Sequence, residues 1–140
     1  MRTSKGAAIC LALFPVLFIA NSPVPAQEPG VTKPELVLQE LVAGMPKGDK
    51  QEIRIMTAHF KPGDRTVFHF HRFPVAVYIM AGAFTLELEG RAPKTIKAGE
   101  GFVEPPGVKM TGFNRSTSES LRLVIFYVGD PGTPFLDPVH

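Results

Sequence analysis

The most informative stretch of this 140-residue chain is residues 66–82, which reads TVFHFHRFPVAVYIMAG. Its valine, phenylalanine and isoleucine content is typical of β-strands. Because side chains alternate between the two faces of a strand, His69 and His71 are predicted to project from one face, and Phe68 and Phe70 from the other. Two imidazoles about 7 Å apart along one face can bind one metal ion when a third group meets them. The same spacing also fits two solvent-facing or hydrogen-bonded histidines on an edge strand.

Residues 1–26 have the order of charge and hydropathy found in a secretory signal peptide. Two basic residues precede an almost wholly apolar run, residues 6–20, and small or polar residues follow it. Small residues at the −3 and −1 positions predict cleavage after Ala26. A retained membrane anchor is the alternative, but the run is short for a span and contains Pro15. We therefore expect a secreted or periplasmic protein, with a bacterial periplasm favoured.

Loss of this signal changes what the mature chain can do chemically. The only cysteine is Cys10, so the mature chain has no disulfide, no cysteine metal ligand and no cysteine nucleophile. Cleavage also removes two of the fifteen basic residues and none of the thirteen acidic ones, which leaves the chain formally neutral. A neutral chain without a basic patch predicts no nucleic-acid partner and no membrane partner after signal removal.

Short strands are predicted throughout the mature chain, and no segment has a sustained helical period. Residues 37–42 and 51–60 are interpreted as a hairpin, because residues 51–60 alternate and turn chemistry separates the two segments. Residues 121–128 (LRLVIFYV) are the most apolar run and are predicted to form the central strand. Many short strands at close spacing favour an all-β sandwich or small barrel.

Proline and glycine suggest the domain boundaries. Residues 27–34 are expected to be a flexible lead-in. Residues 35–130 are then the folded domain, and the proline-rich residues 131–140 are predicted to be an irregular tail over its surface.

Two spaced motifs of glycine, histidine and proline lie between residues 63 and 114. The first runs Gly63, five residues, His69-Phe-His71, three residues, Val75, six residues and Gly82. The second runs Gly99, five residues, Pro105-Pro-Gly107, two residues, Met110, three residues and Asn114. In spacing and order this pair resembles the two motifs of the cupin superfamily, specifically its small single-domain members.

The resemblance implies an all-β double-stranded β-helix, a jelly-roll barrel in which the two motifs face each other across a central pocket. It also implies metal ligands, which in the family are two histidines and a glutamate from the first motif and a histidine from the second. This chain keeps His69 and His71 but has Val75 at the glutamate position and Met110 at the last histidine position. The His-x-x-Pro-Val pattern of residues 71–75 resembles a subgroup of small cupins that lacks the glutamate.

Two interpretations of Met110 stay open. Its thioether could complete a set of two histidines and one methionine, which would favour copper, since soft ligands suit Cu(I). Alternatively Met110 fills the core. The pocket would then be a metal-free ligand cavity or would bind metal only weakly, and any metal bound would be zinc, iron or manganese.

Two further residues are candidate metal ligands. His59 shares a predicted inward face with Ile53 and Ile55. Glu104, next to Pro105, could reach the mouth of the pocket.

Three functions fit these patterns. The favoured one is a binding protein that holds a transition metal or a small ligand in the pocket through His69 and His71. The second is a metal-dependent enzyme of the dioxygenase, isomerase or lyase type, for which the sequence identifies no catalytic residue. The third is a degenerate cupin with a structural or assembly role, in which the N-terminal hairpin joins two copies as a homodimer.

Overall fold

The computed structural model describes residues 30–140. The predicted signal peptide, residues 1–26, lies outside the described residues, as do residues 27–29 of the predicted lead-in, residues 27–34. Signal cleavage and the secreted or periplasmic location therefore stay predictions. Residues 34–140 form one structural unit.

This unit is built from antiparallel β-strands that form two sheets, and no helix occurs in residues 30–140. The strands are β1 Glu52–Phe60, β2 His69–Phe70, β3 Val75–Ala81, β4 Ala83–Leu88, β5 Lys94–Lys97, β6 Gly101–Glu104, β7 Met110–Phe113, β8 Leu121–Gly129 and β9 Asp137–Pro138. One sheet has the order β1-β8-β3-β6 and the other has the order β5-β4-β7-β2-β9. The all-β prediction is confirmed.

The described part of the chain contains no helix that is both long and apolar enough to cross a membrane.

The core lies between the two sheets, because alternate apolar side chains of each sheet face the other. Ile79 and Leu123 from the first sheet pack in one buried cluster with Phe84, Leu86 and Met110 from the second. Full burial of one such side chain contributes about 1.5–3 kcal/mol. Strand β8 lies between β1 and β3, as predicted for the most apolar strand.

The predicted N-terminal hairpin is wrong. Residues 37–42 form no strand, and all nine residues of β1 pair with β8 instead. Strand β8 is longer and more apolar than residues 37–42, and it pairs with β1 over the full length of β1. Residues 37–42 lie elsewhere, since Leu38 packs at Gly101 on the opposite edge of the same sheet. A homodimer built on that hairpin loses its basis, and a homodimer of another kind stays a prediction.

The predicted inward face of β1 is also wrong. Ile53 and Ile55 are 72% and 66% exposed, and His59 on the same face is exposed too. The half-buried side chains of β1 are those between them, including Met56 and Phe60. Alternation correctly grouped the residues by face, but the isoleucines misidentified the face that packs on the core. His59 therefore lies outside the barrel and away from the pocket.

The C-terminal segment is more ordered than its prolines indicate. Strand β9 pairs with β2, and the backbone N–H of Val139 donates to the carbonyl oxygen of Phe68 at 2.9 Å. The Arg72 guanidinium forms a two-bond contact with the carboxylate of Asp137, at 2.8 and 2.9 Å. The expectation of a wholly irregular tail over residues 131–140 is thus corrected.

Asn114, the last residue of the second motif, ties two loops together. Its buried side-chain amide nitrogen contacts the carbonyl oxygens of Lys61 at 3.0 Å and Glu119 at 2.8 Å. Its side-chain oxygen accepts the backbone N–H of Ser116 at 3.1 Å. One side chain thereby joins the end of β1 to the loop that precedes β8.

We expect Asn114→Ala to lower the free energy of unfolding by about 1–3 kcal/mol, because buried carbonyl groups lose their donor. Urea denaturation measures this change. The control is Thr117→Ala in the same loop, an exposed position where substitutions usually stay within about 0.5 kcal/mol. Equal losses in the two variants would contradict the role assigned to Asn114.

Candidate functional site

A tight turn at residues 61–64 precedes β2, the strand that begins at His69. Gly63 has φ of +81°, a left-handed conformation that glycine adopts without steric cost. The N–H of Asp64 donates to the carbonyl of Lys61 at 3.0 Å, and the carboxylate of Asp64 accepts the N–H of Lys61 at 2.8 Å. The turn closes on itself, so β2 begins at a fixed place beside β7.

His69 and His71 point into the barrel together. They are 4% and 1% exposed, whereas Phe68 is 42% exposed. Their Nε2 atoms lie 3.1 Å apart. The predicted sharing of one strand face is therefore observed, and the shared face is the buried one.

Backbone carbonyls fix which nitrogen of each ring carries a proton. The Nδ1 of His69 lies 2.7 Å from the carbonyl oxygen of Val67, and the Nδ1 of His71 lies 2.7 Å from that of Phe135. A carbonyl oxygen can only accept, so each Nδ1 donates its hydrogen. In a neutral ring Nε2 then keeps its lone pair. The Nε2 lone pairs of both histidines therefore point into the same region of the barrel.

Glu104 brings a carboxylate to the same region. It is 5% exposed, and its Oε2 lies 3.1 Å from the Nε2 of His71. It is the cross-strand partner of Val75, the position at which the resemblance places a glutamate. Cross-strand partners project from the same face of a sheet. The carboxylate absent at position 75 is therefore supplied by the neighbouring strand.

These three side chains can be compared with the donor set of a first-row metal ion. Two ligands at right angles on a metal with bonds of about 2.1 Å lie about 3.0 Å apart. The distances here are 3.1 Å between the Nε2 atoms of the two histidines and 3.1 Å from His71 to Glu104. No group of three or more His, Cys, Asp or Glu side chains in residues 30–140 is placed so that it could hold a metal ion. The two imidazoles contact each other directly, so they would have to separate for an ion to bind between them.

Met110 lies in the core cluster and is fully buried. It pairs across the sheet with His69 on one side and Leu88 on the other, but it is not among the residues that line the cavity. Its ligation, and copper with it, stay predictions.

The site opens into a cavity of about 140 Å³ inside the barrel. This is smaller than the roughly 300–1,000 Å³ of pockets for drug-sized ligands. It therefore suits a small, mainly apolar molecule with one polar group near the histidines. Besides His69, His71 and Glu104, the lining residues are Ala58, Phe60, Thr66, Phe84, Leu86, Gly112, Leu123, Ile125, Phe135 and Leu136.

A larger cleft of about 470 Å³ lies between residues 40–44 and the prolines at the end of β6. Its only charged lining residues are Glu40 and Arg91, both at the surface. It contains no convergent buried polar groups, so the smaller cavity is the better candidate for chemistry.

Burial lowers the pKa of His69 below its ordinary value, because a charged ring is poorly solvated there. The hydrogen bond to Val67 acts in the opposite direction and is the smaller effect, and the proximity of His71 lowers the pKa further. His69 is thus held in the neutral form, in which Nε2 keeps its lone pair.

This pKa predicts a pH-dependent stability in metal-free protein. As pH falls below about 6.5, the unfolded chain protonates its histidine before the folded chain does. The contribution of His69 is therefore complete above about pH 6.5 and is lost as pH falls through and below this value. Urea denaturation in EDTA from pH 8 to pH 5 should show a steeper decline for wild type than for His69→Gln. Parallel pH profiles would contradict the depressed pKa.

Solved structures share the fold of this chain. A cupin-like protein from Thermotoga maritima superposes with a TM-score of 0.55 at 18% identity, over 62% of this chain and 64% of that protein. A dimethylsulfoniopropionate (DMSP) lyase, DddQ, from Ruegeria pomeroyi gives a TM-score of 0.52 at 21% identity, over 59% of this chain and 41% of the lyase. The polyketide cyclase RemF from Streptomyces resistomycificus gives 0.52 at 21% identity, over 63% of this chain and 61% of the cyclase. This chain spans less than two thirds of each, so these likenesses concern the fold.

A search of curated proteins found no match to this chain. The cupin domain family, in contrast, matches residues 56–127, just over half of the chain. The matched region contains His69, His71 and Glu104, and the resemblance drawn from the two motifs is confirmed. The chain belongs to the cupin domain family.

Proposed function

We propose that this cupin binds one first-row transition metal through His69, His71 and Glu104 and uses it to hold a small organic ligand. The observation that carries the proposal is the pair of Nδ1–carbonyl hydrogen bonds, which present both Nε2 lone pairs beside a buried carboxylate. Two imidazoles and one carboxylate suit Zn(II), Fe(II) or Mn(II) better than Cu(I).

The residues around the donors support this role. The carbonyl groups of Val67 and Phe135 orient the rings, as outer-shell partners of metal-bound histidines do. Burial of all three donors keeps bulk water away from them. A metal bound there would polarise an oxygen or carbonyl group of the ligand, while the apolar wall of the cavity would hold the rest of that molecule.

A metal-dependent enzyme is the second candidate. It is favoured by the two-histidine, one-carboxylate set, which leaves coordination positions free for a substrate. The fold is also shared with a lyase and a cyclase. Binding and catalysis can be distinguished with the ligand that co-purifies with the protein. The metal-loaded protein is incubated with this ligand, and mass spectrometry then shows whether the ligand has changed. A ligand recovered unchanged supports binding, and a converted ligand supports catalysis.

The metal site predicts a specific order of affinities. Wild-type protein should bind one Zn(II) or Mn(II) ion per chain, measured by calorimetry and elemental analysis. Glu104→Gln keeps the shape of the side chain but removes the charge of a direct ligand. We therefore expect affinity to fall by at least about tenfold, the smallest loss usual even for an outer-shell partner. His71→Ala should abolish stoichiometric binding.

Met110→Leu is the matched control for this series, because it is a volume-conserving change of a buried side chain. It should leave Zn(II) and Mn(II) affinity within about twofold. Tight Cu(I) binding that depends on Met110 and not on Glu104 would overturn the proposed ligand set and support the copper prediction. Circular dichroism confirms that each variant is folded.

We also propose that the protein acts outside the cytoplasm, because residues 1–26 have the composition of a cleavable export signal. Expressed with its native N-terminus in a Gram-negative host, it should be recovered from the periplasmic fraction beginning at Gln27. N-terminal sequencing of that fraction is the measurement. An uncleaved product in the cytoplasm would contradict export.

A further inference from the structure

The C-terminal strap, which we define as residues 133–139, forms part of the cavity wall. Phe135 and Leu136 both line the cavity that contains His69 and His71. Backbone pairing, an ion pair and hydrogen bonds hold this strap against the barrel. They include the pairing of β9 with β2, the Arg72–Asp137 contact, the Val139 N–H to Phe68 carbonyl bond at 2.9 Å and the Tyr127 hydroxyl to Pro134 carbonyl bond at 3.3 Å.

The strap also holds one of the proposed metal ligands. The Phe135 carbonyl accepts the Nδ1–H of His71 at 2.7 Å, and the Phe135 ring lies 4.8 Å from the His71 ring. The equivalent carbonyl for His69 belongs to Val67, only two residues away on the same segment. The orientation of His71 therefore depends on a segment 64 residues distant in sequence, whereas that of His69 is local.

The strap can separate from the barrel more easily than the main strands can. It begins after a turn in which Gly132 has φ of +79° and the N–H of Thr133 donates to the carbonyl of Asp130. Its strand has two residues, against seven and nine for β3 and β8. Its ion pair is partly solvent-exposed on both sides, and such pairs hold weakly. Segments whose backbone pairing is short open locally more readily than the long strands of the core.

We propose that the C-terminal strap is a gate that closes the cavity through Phe135 and positions His71, so that its release admits the ligand and weakens the metal site. The inference rests on the proposed function for its ligand and metal, but the hold on His71 exists without either. Phe135 is thus a positioning residue that acts through its carbonyl, and its ring acts separately as the cover of the cavity.

The test separates these two roles with two variants of the full chain. One ends at Gly132 and loses the carbonyl and the ring together. The other is Phe135→Ala, which loses the ring and keeps the carbonyl. In metal-free protein, nitrogen NMR reports the tautomer of His71, and diethylpyrocarbonate reports access to its ring, with exposed His59 as the internal reference. Zn(II) calorimetry reports the metal site.

We expect the shortened chain to show mixed His71 tautomers, faster modification of His71 relative to His59 and about 10–100-fold weaker Zn(II) binding, the usual loss when an outer-shell partner is removed. Phe135→Ala should show faster modification with the tautomer unchanged. An unchanged tautomer and unchanged access in a folded shortened chain would overturn the proposal. If wild type binds neither Zn(II) nor Mn(II), the metal function fails, while the tautomer and access measurements still decide the role of the strap.

A third variant tests the gate if the shortened chain does not fold. Asp137→Asn removes the charge that Arg72 contacts, and we expect it to raise the modification rate of His71. Glu87→Gln is the matched control, because Glu87 forms a similar surface ion pair with Arg115 away from the cavity. Equal rates in the two variants would overturn the gate.

Discussion

The contact between two imidazole Nε2 atoms, 3.1 Å apart in a buried site, is the constraint on which the candidate site depends. Both Nδ1 atoms are committed to carbonyl oxygens, so neither ring can turn its proton toward the other without losing a buried hydrogen bond. Two lone pairs that face each other repel. An added proton or a metal cation between them would relieve this repulsion.

A positive group there would also stabilise the carboxylate of Glu104. A buried carboxylate needs a charged or hydrogen-bonding partner, because its desolvation is expensive. Its Oε2 faces His71 at 3.1 Å, and the remaining walls of the cavity are almost entirely apolar. One cation shared by the three side chains would satisfy all of them at once, and this is the physical basis of the metal site proposed above.

Local pattern was enough to predict most of the fold, because strand alternation and turn residues act over a few positions. The span of β1, the central place of β8 and the shared face of His69 and His71 are all of this kind. The features that local pattern did not predict depend on contacts between residues that are distant in sequence. The partner of β1 is chosen by competition between β8 and residues 37–42, and the outward face of Ile53 is set by how β1 lies on its sheet.

In the candidate site too, the position of one group depends on strand pairing and not on local sequence pattern. The motif predicted His69 and His71 but pointed to position 75 for the carboxylate, and Val75 is there. Glu104 takes that place only because β3 and β6 pair in the register that sets Val75 opposite Glu104. A shift of one residue would turn Glu104 to the other face of the sheet. Register is a property of the folded sheet, so a carboxylate that lies on the neighbouring strand leaves the motif broken in sequence although the group is present in space.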